Sequence, residues 1–364
     1  MIKSAKLFRY SLPFKKRMRF GSNRLAEREG LLIQLTDQQG RIGWGDIAPL
    51  PGFSRETLQD ALNQIRGHIP RLLGQPINSV DPSSLLNDSS TDLRPDIKDI
   101  SGRSYPLSSS VRFGLQMAVL GLTNQLTDPD DKRSIAINGL ITGLDPSAVD
   151  TAVRLADHGY RSIKIKVGRQ AFSEELHYIE QIANAIPSQC VLRLDSNRTW
   201  EFEQGVAFCE ALKGGPIEYI EEPLRDFHML PELASMKLLP IAIDESCKHL
   251  EDFTWLLSAQ IEAVVLKPTL LNGVSSTLLM SQFARGTGIK VVISSSFESG
   301  LGVNFLAAMA RNINPDIPHG LDTVNAFASC LVESDKKLPD GQILPRPQSD
   351  LKIESSYLTE VTDA

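Results

Sequence analysis

The stretch SIKIKVG at residues 162–168 places two lysines one residue apart and raises the first chemical question in this chain. Ile163, Ile165 and Val167 alternate with Lys164, Lys166 and Gly168, the period-2 pattern of a β-strand with one apolar face, so the lysines share the other face. Downstream, at intervals of about 20 to 30 residues, further apolar runs end in Asp195, Glu221, Asp244 and Lys267. Three carboxylates with no histidine among them are hard oxygen donors, suited to Mg2+, or Mn2+ as its substitute, rather than to zinc. A divalent ion that holds a substrate carboxylate acidifies the proton on the adjacent carbon, because the charge left by deprotonation spreads onto oxygens the cation already binds. A lysine whose pKa is lowered by nearby positive charge, from the ion and from Lys164, is then a competent general base; Lys166 and Lys267 are both candidates.

The elements that must position these residues form a rhythm. Short apolar segments, each followed by a helical pattern, begin at SIAINGLI (134–141) and continue through SIKIKVG, VLRLDSN (191–197), IEYIEEP (217–223), IAIDES (241–246), AVVLKPT (263–269), KVVISSSFE (290–298) and HGLDT (319–323). Eight strands alternating with helices predict an α/β protein built on a (β/α)8, TIM-like barrel. The Gly-rich phosphate turn of a doubly wound open sheet is absent. Alternate residues of a barrel strand face the axis, and parity sends Lys164, Lys166, Arg193, Asp195, Asn197, Glu221, Asp244 and Lys267 inward, with Glu222 outward. These charges fall toward the carboxyl ends of their strands, where barrel enzymes place their chemistry. The competing reading, a purely structural set of buried salt bridges, accounts less well for three acids on adjacent strands flanked by lysines.

Around this core, LLIQLTDQQGRIGWGD predicts two strands joined by a turn at Asp37–Gly40, and residues 108–122 a serine-capped helix with an apolar stripe. A helix is expected over 173–186, with Thr199 capping the next one. The Ser-, Asp- and Pro-rich segment 79–110 reads mostly as loop. A net charge of -6 and a pI near 5.6 give no general attraction to nucleic acid, and the basic run Lys15, Lys16, Arg17 and Arg19 reads as a solvated loop. No run of 18 apolar residues is present to span a membrane, and charges interrupt the N-terminal stretch, so a cytoplasmic protein is expected. The four cysteines lack CxxC spacing and are expected to be reduced and buried.

With Lys164-Ile165-Lys166, Asp195-Ser196-Asn197, Glu221-Glu222-Pro223, Asp244-Glu245-Ser246 and Lys267-Pro268-Thr269 in this order, the chain resembles the muconate-lactonizing subgroup of the enolase superfamily. GWGDIAPLPGFSRETL (43–58), LRLDSNRTW (192–200), VVLKPTL (264–270), ISSSFESGLG (293–302) and HGLDT carry a narrower likeness, over nearly the whole chain, to the o-succinylbenzoate synthases of menaquinone biosynthesis. The resemblance implies dehydration of 2-succinyl-6-hydroxy-2,4-cyclohexadiene-1-carboxylate, with Lys166 as acid and base, Lys267 stabilising the enediolate, and Asp195, Glu221 and Asp244 binding Mg2+. It also implies an α+β capping domain formed by residues 1–130 and the tail 324–364 over a barrel at 131–323. Phe53 would close the mouth, Arg193 and Asn197 would line the substrate site, and Ser294 and Gly320 would hold the succinyl group. N-acylamino acid racemases of the same superfamily are the main alternative. Dipeptide epimerases usually offer paired acids at the eighth strand, where this chain has Asp322 alone. A metal-stabilised binding protein without catalysis is the alternative from another class.

Overall fold

The computed structural model describes residues 1–77, 97–98, 104–105, 107–127, 130–244, 246–247, 252, 260–332 and 341–362. Most of segment 79–110, Glu245 and residues 333–340 of the tail lie outside these.

The chain opens with three antiparallel strands, β1 (Ile2–Phe20), β2 (Asn23–Asp37) and β3 (Ile42–Ile47). The expected turn between β2 and β3 forms because the Asp37 carboxylate accepts from the backbone N–H groups of Gln39 and Arg41, each at 2.9 Å, while Gly40 takes φ 80°. Helices α1 (Leu58–Leu72) and α2 (Ser109–Thr123) cover one face of this sheet. α2 lies so close to β3 that a Cβ on Gly45 would fall 1.8 Å from the Gly114 carbonyl oxygen. Because β3 packs on it so tightly, α2 is buried nearly all round rather than along one stripe. Ser108 stands at its N-cap without a side-chain bond; Glu56 Oε1 instead accepts from Ser110 N and Oγ.

Seven parallel strands follow: β4 (Gly139–Ile141), β5 (Ser162–Lys166), β6 (Val191–Asp195), β7 (Ile217–Glu221), β8 (Ile241–Ile243), β9 (Ala263–Leu266) and β10 (Lys290–Ile293), side by side in chain order. The eighth position is held by two single-residue bridges, His319 with Ile137 and Gly320 with Ser294, which join the two edges of the sheet into a barrel. The expected first strand is thus divided: Ile135–Ala136 pairs with Gln342–Ile343 of the tail, and only the part from Ile137 onward faces the barrel. Helices α3 (Pro146–Asp157), α4 (Phe172–Ala185), α5 (Phe202–Ala211), α6 (Leu230–Ser235), α7 (Val274–Gly286) and α8 (Gly300–Ile313) intervene. Glu201, in a capping box with Gln204, caps α5; Thr199 Oγ1 is already committed to the Ser196 carbonyl.

Ile163, Ile165, Leu192, Leu194, Ile220, Val264, Leu266, Val291 and Ile293 are fully buried in the large core that includes the helix faces, each such side chain stabilising the fold by about 1.5–3 kcal/mol. Their neighbours in sequence therefore point to the axis. The tail returns to the N-terminal sheet as β11 (Leu358–Glu360), paired with β1 from Phe8 to Tyr10. Among the described residues no helix is long and apolar enough to cross a membrane.

Candidate active site

Inside the barrel the side chains form layers. Near the amino ends of the strands lies Arg193, with no exposed surface. Its Nε donates to Glu218 Oε2 at 2.7 Å and its Nη1 to the Pro318 carbonyl at 2.7 Å, with Asn138 Oδ1 at 3.4 Å. Its Nη2 makes no hydrogen bond among the described residues, and the Tyr219 ring lies 5.0 Å from Cζ in a cation–π contact. Arg193 was expected beside the substrate. Parity put it on the inward face, and two residues before Asp195 places it roughly 7 Å lower along the strand. Tyr219, Ala242 and Ala263 fill the next layer.

Above them the expected ions meet. Lys164 Nζ lies 2.7 Å from Asp195 Oδ2 and donates to both oxygens of Glu221 at 2.7 Å. Lys166 Nζ donates to Asp195 Oδ2 at 2.5 Å and to Asn197 Oδ1 at 2.8 Å, and Lys267 donates to Asp244 Oδ2. The three acids are at most 5% exposed, at the ends of the adjacent strands β6, β7 and β8. Burial works to lower Lys164, but the charges of Asp195, Glu221 and Asp244 hold it well above the usual lysine range. Lys166 moves the other way: burial first, with the like charges of Lys164 and Lys267, lowers it despite Asp195. Burial opposes ionisation of Asp195, yet Lys164 and Lys166 hold it below the ordinary carboxylate range. Glu221 is pushed up to about 8 by burial and then by the Asp195 charge.

The ends of the strands carry unusual backbone. Asn197 (φ 49°), Arg198 (φ 61°), Glu222 (φ 46°) and Phe297 (φ 61°) are all non-glycine residues in the left-handed region, and all follow barrel strands. The turn at Glu222 keeps its side chain out of the ion cluster, as parity predicts, and directs it to the end of β8. There its carboxylate accepts from Asp244 N at 2.7 Å, Ser246 N at 2.8 Å and Ser246 Oγ at 2.6 Å. Glu175, on α4, does the same for the turn after β5, accepting from the backbone N–H groups of Gly168, Arg169 and Gln170. Sequence reasoning did not assign these positioning acids; the doubled Glu221-Glu222 was the visible signal for one of them.

On the other side of the mouth, Ser294 Oγ lies 3.3 Å from the Gly320 carbonyl, and a Cβ on Gly320 would fall 2.6 Å from that hydroxyl. The loop bearing Phe53 is tied at its base by Phe53 N and Ser54 N to the Leu50 carbonyl, while the Phe53 ring stays 39% exposed rather than buried over the cluster. His319 is structural: Nδ1 accepts from Ile293 N at 3.0 Å, Nε2 faces the Asn314 carbonyl, and burial lowers its pKa to about 4. Asp322 is engaged by Asn325 Nδ2 at 2.5 Å and by the Tyr160 hydroxyl.

Whether this cluster suits a divalent cation is tested by its donor set. Among the described residues no three acid, histidine or cysteine side chains form a ready-made cage, since lysine Nζ atoms stand between the carboxylates. Even so, the acids supply hard oxygens from three neighbouring strands, and Glu221 is raised by burial and its acidic neighbours, a strain that a dication relieves. The residues fit Mg2+.

A barrel with lysines on the second and sixth strands and acids on the three between them defines an enolase-type protein. Residues 147–344 match the family described as Enolase C-terminal domain-like, and residues 2–83 match MenC, N-terminal domain. The chain belongs to the o-succinylbenzoate synthase family. It is 32% identical to the o-succinylbenzoate synthase of Haemophilus influenzae, over 99% of both chains, and 32% identical to that of Escherichia coli K12, over 89% of this chain and 92% of the other. Solved structures share the fold at lower identity. The L-Ala-D/L-Glu epimerase of Bacillus subtilis superposes with a TM-score of 0.80 at 19% identity, covering 96% of this chain and 98% of that one. A Cytophaga hutchinsonii dipeptide epimerase complexed with Mg and a dipeptide gives 0.81 at 20%, covering 99% of each chain.

Proposed function

We propose that this protein is a hydro-lyase that dehydrates 2-succinyl-6-hydroxy-2,4-cyclohexadiene-1-carboxylate to o-succinylbenzoate, a step of menaquinone biosynthesis. Membership of the o-succinylbenzoate synthase family supports the reaction. The observation that carries the assignment of residues is the opposed pair of lysines above three buried acids, with Lys166 lowered toward a usable base. Asp195, Glu221 and Asp244 would hold Mg2+, or Mn2+ in its place. When bound, that ion supplies a Lewis acid for the substrate carboxylate and makes the adjacent C–H more acidic.

The chain's own residues do the rest. Neutral Lys166 Nζ takes the α-proton, and the C–H electron pair moves into the substrate carboxylate as an enediolate. When that pair returns to form the ring double bond, the C–O bond to the hydroxyl breaks and Lys166 gives its proton to the departing oxygen, so that water leaves. Lys164 keeps its charge throughout and favours the neutral form of Lys166. Lys267 faces the same space as a cation and offsets the developing negative charge. Asn197 accepts a hydrogen bond from Lys166 Nζ through its side-chain oxygen and so orients the base. Ser294 and Gly320 would border the succinyl group, and Phe53 would limit water at the mouth. Arg193 acts from the floor, as part of the frame under Asp195.

Residues 1–130 with the tail act as the cap over a barrel at 131–323, a division supported by the pairing of β11 with β1. The protein would act in the cytoplasm, on a small carboxylate. The direct test is ultraviolet detection of the aromatic product from the cyclohexadiene substrate with Mg2+, set against N-succinylamino acids and dipeptides on one preparation. Faster turnover of either competitor by kcat/KM overturns the assignment. The engaged state of Asp322 leaves no ready partner there for a dipeptide ammonium, so epimerisation of dipeptides is expected to be undetectable.

A further inference from the structure

We propose that Glu298 is a positioning residue for Lys267, acting through the hydroxyl of Thr269; this rests on the role given to Lys267 above. Glu298 has no exposed surface and lies in the turn between β10 and α8. Its Oε1 accepts from Thr269 Oγ1 at 2.5 Å, and its Oε2 from Ser295 Oγ at 2.5 Å and Ser296 N at 2.7 Å. All three donors are neutral. A buried carboxylate costs several kcal/mol unless its oxygens are bonded, and short bonds to an ionised acceptor are the strong kind. Here that strength is spent on tying strand ends together.

Thr269, also without exposed surface, follows Lys267 by two residues, with Pro268 between them. The proline restrains Lys267 to extended backbone. The Lys267 carbonyl then accepts from Leu270 N at 2.8 Å and Leu271 N at 3.0 Å, so the lysine stands at the entrance of a tight turn. The bond from Thr269 to Glu298 fixes that turn against the end of β10. Ser295 extends the tie, because Thr323 Oγ1 donates to Ser295 Oγ at 2.8 Å and brings in the loop after the eighth position. One buried carboxylate thus sets the relative heights of Lys267 on one side and Ser294 and Gly320 on the other. An electrostatic group displaced by about 1 Å from its productive place loses on the order of 100-fold in rate.

The test compares steady-state dehydration by the parent, Thr269→Val, Thr269→Ser, Glu298→Gln and Lys267→Ala, with thermal melts on each. The expected result is a 10- to 100-fold fall in kcat for Thr269→Val with KM within threefold, and a return to within threefold of the parent for Thr269→Ser, which keeps the hydroxyl. A role confined to packing would lower the melting temperature of the valine variant and leave kcat alone. Thr269→Val within threefold of the parent, beside an inactive Lys267→Ala, overturns the proposal and leaves the role of Lys267 standing. A Lys267→Ala variant at the parental rate overturns that role and the proposal with it. Should Thr269→Val not fold, Glu298→Gln decides: a kcat reduced at least tenfold with near-parental KM supports the tie, and an unchanged kcat overturns it.

Discussion

The two sides of the barrel mouth solve the same problem in opposite ways. From β5 to β9 the charges of the central cluster satisfy one another: Lys164 with Asp195 and Glu221, Lys166 with Asp195, and Lys267 with Asp244. From β10 to the cap, three buried groups, Glu298, Asp46 and Arg28, are satisfied by neutral partners. Glu298 takes hydroxyls and a backbone N–H, while Asp46 takes the Tyr10 and Ser299 hydroxyls and Ser299 N. Arg28 donates to the carbonyls of Ala48, Pro49 and Phe297. A charge paired with a mobile side chain can exchange that partner for a ligand, whereas a charge bonded to backbone and short hydroxyls is fixed. The first side is equipped for chemistry and the second for holding the cap and the strand ends in register.

Breaking the exchangeable side should have the largest effect. Lys166→Ala is expected to lower kcat by about 10^2- to 10^4-fold, the range for losing a positioned general base. Asp195→Asn, Glu221→Gln or Asp244→Asn should each cost several kcal/mol of transition-state stabilisation, at about 1.4 kcal/mol per tenfold in rate. Single-turnover rates of the folded variants check this. A Lys166→Ala rate within tenfold of the parent assigns the base to another group, and full activity after exhaustive chelation rules out the metal.

Glu222 sits between the two regimes: a fixed acid that serves the exchangeable side by holding Asp244 N. Glu222→Gln should reduce activity by about 10- to 100-fold, as expected for a group that orients a ligand without touching the ion. Activity measured against Mg2+ concentration separates the causes. A higher half-saturating concentration is the expected outcome, and a fall in rate with no change in that concentration argues against orientation of Asp244.

Breaking the fixed side should show in stability more than in rate. Arg28→Met leaves the carbonyls of Ala48, Pro49 and Phe297 without their donor, and a loss of about 3 kcal/mol or more in unfolding free energy is expected. Urea unfolding measures it. A variant as stable as the parent would show that the cap is held to the barrel by its aromatic contacts, Phe14 and Phe20 against Phe297, without the arginine.

The same contrast explains what was legible in the sequence. Along β5 to β9 an inward charge must alternate with buried Ile, Val or Leu, so period-2 parity exposed the lysines and the three acids directly. Parity gives the face and not the height, so it could not show that Arg193 lies lower in the barrel than Asp195, bonded to Glu218 and the Pro318 carbonyl. Its partner Glu218 also lies at a register shift between Ile217 and Tyr219, where alternation is interrupted. Glu222, Glu298 and Asp46 escaped because they act beyond the strand ends or on backbone groups, where alternation carries no signal. α2 looked amphipathic but is covered on every side, since sequence periodicity cannot register a sheet packed through glycines.

The smallest expected effect tests whether the fixed side holds a proton. Burial raises the Asp46 carboxyl to about 6, outweighing the Ser299 and Tyr10 bonds that lower it, against an ordinary value of 3.8. Between those values the folded protein keeps a proton that the unfolded chain releases. The stability contributed by Asp46 is therefore complete below about pH 4 and is lost as pH rises through 6, by no more than about 3 kcal/mol for a shift of this size. Asp46→Asn has no such proton to lose. The difference in unfolding free energy between parent and variant, measured in urea at intervals from pH 4 to pH 7.5, should move steadily in favour of the asparagine variant until about pH 7 and then level off. A difference that stays constant across this range would mean that Asp46 remains ionised in the folded protein, held by Ser299 and the N-terminus of α8, and the fixed side would then carry its full charge at every pH at which the exchangeable side works.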